Sequence, residues 1–358
     1  MRASRSPTTC GRGSAAGPGN SAPPRSPYRW AADEWAQSLV APERFETIAV
    51  AAPGADDLVD GSVLLRVLAG GICGSDVPNF RGNRALVATE DGGLAARLPG
   101  YPLHEVVGDV VASRDPAVEV GTRVVGWATG LNGLDEYVVT RGDSVQSYEP
   151  QWAPTTAVML QPLACALYAV EQLGDIAGAG VTVLGQGPLG VLFSHVLKQA
   201  GAARVTGVDR VDRSAHRATF DIDDVVHATT ARWVGTLTDA DRPDVVVECI
   251  GHQVATLTHA IDAIRFGGRI FYFGVPDDPV YPMPMNTFLR KNLTLILGFT
   301  IERRRVLREA DAYLTRFPDL TTAYVTDVLP AARAQEAFAT AAHPESHRLK
   351  VVLDMTTT

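Results

Sequence analysis

The stretch GVTVLGQGPLGVLFSHVLKQAGAARVTGVDR, residues 180–210, limits the fold of this chain more than any other segment. It predicts an apolar strand at Val181–Leu184, a helix from about Leu189 to Ala200, and a second strand at Arg204–Val208. A glycine-rich turn joins the first strand to the helix. A strand, a helix and a following strand in this order form a right-handed βαβ unit, which is the repeating element of a doubly wound parallel sheet.

The turn itself, GQGPLG, has the G-x-G-x-x-G spacing of dinucleotide-binding sites. Gly185 permits the tight turn, Gly187 leaves room for a pyrophosphate beside the backbone, and Gly190 lets the helix pack closely on the strand. The helix that begins at Pro188 and Leu189 offers free N–H groups to the phosphates. The alternative is a turn that is required by sterics alone and binds no ligand.

Asp209 lies nineteen residues beyond the last glycine, where a carboxylate can bind both ribose hydroxyls of NAD. The same charge would repel a 2′-phosphate, so we expect NAD rather than NADP. Arg210 and Arg213 are the counter-argument, because either arginine could hold such a phosphate. Arg210 is also a candidate cofactor contact.

The regions on either side of this unit differ from each other. The C-terminal side continues the parallel sheet, whereas the N-terminal side suggests a second domain. The apolar runs DVVVECIG, GGRIFYFGV and LTLILGF, which begin at positions 244, 267 and 293, are continuous, as in parallel strands covered on both faces. Residues 43–145 instead consist of short predicted β-strands broken by Gly, Asp, Asn and Pro. A length of 358 residues suits two domains, so we predict an α/β protein with a doubly wound domain and a β-rich domain.

Composition excludes several functions. The net charge of −8 argues against nucleic-acid binding, and no apolar run is long enough to span a membrane. Cysteines at positions 10, 73, 165 and 249 are widely spaced, which indicates free thiols in a reducing compartment, the cytoplasm. Residues 1–34 are expected to be a disordered tail, because the first thirty hold five arginines and no acid. An organelle transit peptide is the alternative to an inert tail or a misplaced start codon.

A second set of candidate residues lies in GGICGSD, residues 70–76, and in PGYPLHEVVGDV, residues 99–110. Cys73, His104 and Glu105 offer a thiolate, an imidazole and a carboxylate, which are groups that bind zinc. Judged alone, Cys73 is equally compatible with a small buried side chain and His104 with a core histidine. The spacing leaves both interpretations open.

Four motifs in order resemble the medium-chain dehydrogenase/reductase superfamily, which contains the zinc-dependent alcohol, polyol and threonine dehydrogenases. The motifs are GGICGSD, LHEVVGDV, LQPLACALYAV and GGRIFYFGVP, beginning at positions 70, 103, 160 and 267. The resemblance covers about residues 40–355. It implies a GroES-like catalytic domain made of residues 35–157 and 300–358, beside a Rossmann NAD domain of residues 158–299.

The resemblance also implies a role for each matching residue. Cys73 and His104 would be zinc ligands, and Glu105 a near or alternating ligand. Asp76 would orient a ligand, and Ser75 would hydrogen-bond the substrate hydroxyl and begin the proton path.

Gly274 and Val275, in the strand that passes the nicotinamide, would complete the cofactor site. The implied reaction is the reversible oxidation of a secondary alcohol to a ketone, in which zinc polarises the oxygen and NAD accepts the hydride. The implied partners are a small-molecule alcohol or ketone and further copies of the chain, as a homodimer or homotetramer through about residues 280–298.

The chain departs from the family pattern at several positions. Gln161 stands where polyol-type members have a glutamate, so it is also a candidate metal ligand, although an amide is a poorer zinc ligand than a carboxylate. Either Gln161 or Glu105 would complete the zinc shell. Val77, Pro78 and Asn79 stand where the proton path of the family often has a histidine. No cysteine lies between residues 108 and 161, so we expect one catalytic zinc and no structural zinc.

Two other functions stay open at this point. One is a zinc-free reductase of the same superfamily that uses NADPH, and the other is a non-catalytic nucleotide-binding protein, which Gln161 and the substitution of Leu103 for glycine support. Expectations for further residues are the following: Cys165, Cys249 and His195 in the core, Tyr101 and Trp127 either in the core or lining a pocket, and Glu248 in contact with solvent.

Overall fold

The structure, a computed structural model, describes residues 33–82 and 98–357. The described strands are β1 (Asp33–Ala41), β2 (Arg44–Ala51), β3 (Ser62–Gly71), β4 (Glu105–Ser113), β5 (Arg123–Trp127), β6 (Tyr137–Arg141), β7 (Val145–Ser147), β8 (Gly180–Leu184), β9 (Arg204–Asp209), β10 (Asp224–His227), β11 (Val245–Glu248), β12 (Arg269–Tyr272), β13 (Thr294–Leu297), β14 (Val325–Pro330) and β15 (Lys350–Asp354).

The described helices are α1 (Asp76–Phe80), α2 (Pro154–Ala157), α3 (Leu160–Leu173), α4 (Pro188–Gln199), α5 (Thr230–Val234), α6 (Val254–Ala263), α7 (Met285–Arg290), α8 (Arg303–Arg316), α9 (Leu320–Tyr324) and α10 (Ala334–Ala341). Within the described ranges, no helix is both long enough and apolar enough to cross a membrane.

The predicted disordered tail of residues 1–34 overlaps the first described strand. Residues 1–32 lie outside the described residues, but Asp33 and Glu34, which the sequence assigns to the tail, begin β1. Glu34 pairs with Val50 of β2, and its side chain is buried against Asp135. The tail prediction is therefore wrong for these two residues, because the hairpin formed by β1 and β2 draws them into the sheet.

A six-stranded parallel sheet forms the core of one half of the molecule, in the order β10-β9-β8-β11-β12-β13. Its central strands are mostly apolar, as in β11, where Val245, Val246 and Val247 are all fully buried. The strand order reverses between β8 and β11, and the carboxyl ends of strands at such a point form the ligand crevice of doubly wound folds. The predicted α/β fold class is confirmed.

A second sheet of seven strands has the order β14-β15-β3-β4-β5-β7, with β6 also paired to β3. Its antiparallel ladder brings three strand ends to one place. Gly71 at the end of β3 lies opposite Glu105 at the start of β4, and Glu105 lies opposite Trp127 at the end of β5. The C-terminal strand β15 reaches the same point, because Val352 pairs with Gly71.

The two sheets share one apolar core. Helix α3 is buried along most of its length, and a single cluster joins its residues to Val107 and Val125 of the antiparallel sheet and to Val181 and Val245 of the parallel sheet. Val306 of α8 belongs to the same cluster. The helix that carries Gln161 is thus fixed from both sides.

A polar contact also joins the two halves. The buried side chain of Arg213, in the loop after β9, donates from Nη1 to the carbonyl oxygens of Glu345 at 2.7 Å and Arg348 at 2.6 Å. His216 lies 3.1 Å from the carbonyl oxygen of Ser346. The loop beside Asp209 is therefore tied to the segment that leads into β15.

Candidate active site

Cys73, His104 and Glu105 meet at one point of the structure. Their ligand atoms, a thiol sulfur, an imidazole nitrogen and a carboxylate oxygen, all lie within 4.8 Å of one another. The ladder between β3 and β4 explains the meeting, because it places Gly71 opposite Glu105 and Cys73 follows Gly71 by two residues. In the part of the chain that is described, no other group of three such side chains is found.

Asp76, buried at the start of α1, orders two of these groups. Its Oδ2 accepts a hydrogen bond from the backbone N–H of Cys73 at 2.8 Å, and its Oδ1 lies 2.7 Å from Nδ1 of His104. The contact at Nδ1 leaves Nε2 to face a ligand. Burial lowers the pKa of His104, but Asp76 and Cys73 outweigh burial and raise the pKa well above its usual value. Metal binding at this imidazole therefore displaces a proton.

Glu105 is held by a cation from the other end of the chain. Nζ of Lys350, the first residue of β15, lies 2.5 Å from Oε2 of Glu105, and both side chains are 1% exposed. A Cβ atom at residue 71 would lie 2.5 Å from the same oxygen and 2.9 Å from Cε of Lys350. Glycine is thus required at position 71, because the ion pair occupies the space that a side chain there would need.

The donor set fits a catalytic zinc site. One sulfur, one nitrogen and one oxygen make the three protein ligands that such a site uses, and a fourth position stays open for substrate. Neither oxygen of Glu105 makes a well-aligned hydrogen bond within the described structure, since the contact with Lys350 is ionic only. A buried carboxylate in this state is available to a cation.

Gln161 lies in the first turn of α3 and is buried. Its amide Nε2 donates to Sγ of Cys165, one turn further along the helix, at 3.7 Å. This hydrogen bond does not use the amide oxygen, which is the atom of Gln161 that could bind a metal. Burial raises the pKa of Cys165 to about 12, so this sulfur stays a thiol at neutral pH. Ser75 is half-buried immediately before α1, two residues after Cys73.

The glycine-rich turn has the backbone that its sequence requires. Gly185 has φ of +91°, a left-handed conformation that disfavours other residues. A Cβ atom at Gly190 would collide with the carbonyl oxygen of Gly185, whereas a Cβ at Gly187 would meet no atom within 4 Å. The open space at Gly187 lies at the N-terminus of α4, where Pro188 and Leu189 begin the helix.

Asp209, at the end of β9, is fixed by the backbone. Its Oδ2 accepts from the N–H of Gln186 at 2.7 Å, and its Oδ1 accepts from the N–H of Val211 at 2.8 Å. The two neighbouring arginines differ. Arg210 is exposed, whereas the guanidinium of Arg213 is buried and engaged with the carbonyl groups of the segment before β15. Arg213 is therefore not placed to hold a 2′-phosphate.

Gly274 and Val275 lie beyond β12, against the loop after β11. A Cβ atom at Gly274 would collide with the backbone of Gly251, and the carbonyl of Val275 accepts from the N–H of His252 at 2.8 Å. Glu248 ends β11 beneath this contact and is fully buried, so the expectation that it contacts solvent is wrong. Its carboxylate accepts from the N–H groups of Ile250 and Gly251, which removes the need for water.

Comparison with known proteins decides the family. Residues 59–148 match the alcohol dehydrogenase GroES-like domain, and residues 188–315 match the zinc-binding dehydrogenase family. The chain belongs to the zinc-dependent medium-chain dehydrogenases. It is an oxidoreductase that acts on alcohol groups.

The relatives of this dehydrogenase include enzymes with different substrates. Over 262 residues it is 26% identical to an L-threonine 3-dehydrogenase of Bacillus velezensis, a match that covers 66% of this chain and 75% of the relative. Over 278 residues it is 24% identical to a D-arabitol-phosphate dehydrogenase of Enterococcus avium, covering 67% of this chain and 75% of the relative.

A solved alcohol dehydrogenase of E. coli CFT073 in complex with NADH has the same fold, with a TM-score of 0.73 and 19% identity. The match covers 91% of this chain and 100% of the other.

Sequence reasoning does not single out Lys350, and it considers Arg213 only as a possible phosphate contact. In the structure both side chains bind groups far away in the chain: Lys350 pairs with Glu105, and Arg213 donates to the carbonyls of Glu345 and Arg348. The one sequence signal for Lys350 is a lysine between apolar residues in LKVVL, in a chain with three lysines.

Of the two cysteines expected in the core, Cys165 is buried, whereas Cys249 is only partly buried. His195 is buried against Tyr313, and both Tyr101 and Trp127 are core residues rather than exposed pocket walls.

Gly187 and Gly190 form a matched pair for testing the turn. Gly190→Ala should lower the free energy of unfolding by roughly 1–3 kcal/mol, because the new methyl group overlaps the Gly185 carbonyl. Gly187→Ala should fold like the wild type, since its backbone is extended and the space is open, but should weaken binding of the dinucleotide about tenfold. Chemical denaturation and a cofactor titration measure the two effects. Unchanged cofactor binding by Gly187→Ala would show that no phosphate approaches here.

Glu248 makes the stability of the dehydrogenase depend on pH. Burial raises its pKa from 4.5 to about 7 in the folded state. Between these values the folded protein binds the proton more tightly than the unfolded chain does, so stability falls as pH rises from about 4.5 to about 7. Glu248→Gln keeps an oxygen acceptor and removes this loss, so it should be more stable than the wild type at pH 8, by on the order of 1–3 kcal/mol.

The control for Glu248→Gln is the same measurement near pH 4.5, where the two proteins should unfold alike. Denaturant melts at both pH values provide the comparison. A variant that is less stable than the wild type at pH 8 would mean that the surrounding N–H groups compensate the ionised carboxylate for its burial, which contradicts a raised pKa.

Proposed function

We propose that this dehydrogenase interconverts a secondary alcohol and a ketone by hydride transfer with NAD(H), using one zinc ion and no structural zinc. The observation that carries the proposal is the convergence of Cys73, His104 and Glu105 within 4.8 Å, in a chain that also has a dinucleotide-binding turn. The missing cysteine cluster between residues 108 and 161 supports a single metal site.

Each residue of the site has a defined task in this proposal. Cys73, His104 and Glu105 hold the metal, and Asp76 fixes the His104 ring through Nδ1. When bound, zinc polarises the substrate oxygen and the nicotinamide supplies or accepts the hydride. The hydroxyl of Ser75 hydrogen-bonds the substrate and receives its proton.

The proton must leave Ser75 by a route that does not use a histidine, since Val77, Pro78 and Asn79 follow Asp76. Asn79 donates from Nδ2 to the backbone carbonyl of Ser75 at 3.2 Å, which orders the turn but provides no base. We therefore assign the next step to the cofactor ribose or to water.

The substrate class follows from the relatives. Threonine and arabitol phosphate, the substrates in the names of two relatives, both carry a secondary alcohol beside a second polar group. We propose a polyol, cyclitol, amino alcohol or sugar derivative. A panel of such alcohols with NAD, followed by NADH absorbance, tests the function. Turnover of activated double bonds by zinc-free protein with NADPH would instead identify a reductase, and no turnover at all would favour a nucleotide-binding protein.

Cofactor preference depends on Asp209. We expect at least tenfold better turnover with NAD than with NADP, because a lost hydrogen bond and charge repulsion together amount to about 1.5–3 kcal/mol. Asp209→Ala should narrow or reverse the ratio, and Arg213→Lys should leave the ratio unchanged, since Arg213 is turned toward the C-terminal segment. Steady-state kinetics with both cofactors decide the matter, and a wild-type enzyme that prefers NADP refutes the proposal.

The rate of zinc loss to a chelator distinguishes the roles of Gln161 and Glu105 as metal ligands. If Gln161 faces the metal, Gln161→Glu adds a carboxylate and should slow zinc loss to a chelator about tenfold, a gain of about 1.4 kcal/mol. Glu105→Gln should speed the loss and sharply lower turnover. If Gln161 only donates to Cys165, Gln161→Glu should lower the melting temperature and leave zinc loss unchanged. Both variants are measured for zinc release and for melting.

We also propose that the enzyme forms a homodimer or homotetramer. Strand β13 is an edge of the parallel sheet, and Met285, Leu289 and Leu297 near it are exposed. Edge strands with such side chains favour pairing with a second copy. Light scattering of the wild type and of Leu297→Lys tests this, with a smaller particle expected for the variant; a monomeric wild type contradicts it.

A further inference from the structure

Tyr324, the last residue of α9, has a hydroxyl that nothing in the described structure satisfies. The side chain is 0% exposed, and its OH has no hydrogen-bond partner among the described residues. A phenol left in this state costs about 1–3 kcal/mol relative to one that is paired. Since Phe would fill the same space without this cost, the hydroxyl calls for a partner that the protein acquires.

The position of Tyr324, directly before strand β14, points to the cluster of Cys73, His104 and Glu105. Val325, the next residue, pairs with Lys350 in the parallel ladder between β14 and β15. Lys350 in turn contacts Glu105 at 2.5 Å. Burial raises the pKa of Tyr324 well above its usual value, and the charges of Glu105 and Cys73 add to that effect. Through Val325 and Lys350, the phenol therefore belongs to the same buried region as the proposed metal ligands.

Glu105 is the acceptor that best matches this donor. Both of its oxygens lack a well-aligned hydrogen bond, although the carboxylate is fully buried. Cys165 is also near but is a neutral thiol, which is a weak acceptor. A hydroxyl that donates to a carboxylate makes a short and strong hydrogen bond. The chain thus holds a buried hydroxyl without a hydrogen-bond partner and, in the same region, a buried carboxylate that is ion-paired to Lys350 but accepts no aligned hydrogen bond.

We propose that Tyr324 is a positioning residue for the metal site: in the zinc-loaded enzyme its hydroxyl donates a hydrogen bond to Glu105, so that Tyr324 and Lys350 together hold this carboxylate as the third protein ligand. The inference rests on the proposed zinc site. Donors of this kind fix the orientation of a ligand and raise metal affinity. The arrangement makes Glu105, rather than Gln161, the group that completes the zinc shell.

The test uses Tyr324→Phe, which removes only the hydroxyl, in metal-free and zinc-loaded enzyme. Zinc loss to a chelator should be about tenfold faster than in the wild type. The metal-free variant should melt at the same temperature as the wild type or higher, because an unpaired hydroxyl is gone. The rise in melting temperature on zinc loading should be smaller than in the wild type, which a purely structural role would not produce.

Tyr272→Phe is the matched control. Tyr272 on β12 is also a buried tyrosine, but it lies in the apolar cluster around Val246 and Ile270 and beside Tyr281, away from the metal ligands. Removing the Tyr272 hydroxyl should leave the rate of zinc release unchanged. Equal zinc release by Tyr324→Phe and the wild type, with zinc bound to both, overturns this inference alone. A wild type that binds no zinc overturns the proposed metal site and the inference with it.

Discussion

The ion pair between Glu105 and Lys350 is the interaction on which the architecture of the active site depends. Both side chains are almost fully buried, and removing either partner would leave an uncompensated charge that costs several kcal/mol. The pair stands where β3, β4 and β15 end or begin, and Gly71 gives it space. A strand from the end of the chain is thereby fixed to the loops that carry the proposed ligands.

The ion pair between Glu105 and Lys350 also contributes to the net charge of the proposed metal site. Asp76 and Glu105 bring two carboxylates to a point that includes the thiol of Cys73, and Lys350 balances one of them. A divalent cation held by Cys73, His104 and Glu105 would supply the missing positive charge. The charge of the metal site and the position of the C-terminal strand β15 are therefore linked through Lys350.

The cofactor half is connected to the same strand. Arg213 follows the loop of Asp209 and donates to the carbonyls of Glu345 and Arg348, two residues before Lys350. The loop beside Asp209 is thus joined by hydrogen bonds to the segment that leads into β15, and β15 carries the ion-pair partner of Glu105.

Sequence reasoning succeeds where the signal is local. The βαβ unit is predicted to within one residue at its ends, because strand, turn and helix are each encoded in adjacent residues: β8 runs over Gly180–Leu184 and α4 over Pro188–Gln199. The resemblance singles out Cys73, His104 and Glu105, which the structure brings together, although their roles stay a proposal. Lys350 and the contact that Arg213 makes are missed because the partners lie far away in the chain. Tyr324 is missed because the sequence does not show that its hydroxyl is buried without a partner. Glu248 is misjudged because nearby N–H groups replace water.

The zinc content of the purified, active enzyme tests the central claim most directly. Metal analysis of the wild type should find about one zinc per chain, and Cys73→Ser, which replaces the sulfur ligand, should lose both the metal and turnover. Active wild-type protein without zinc, or with about two zinc ions per chain, would contradict the account of a single catalytic site built from Cys73, His104 and Glu105.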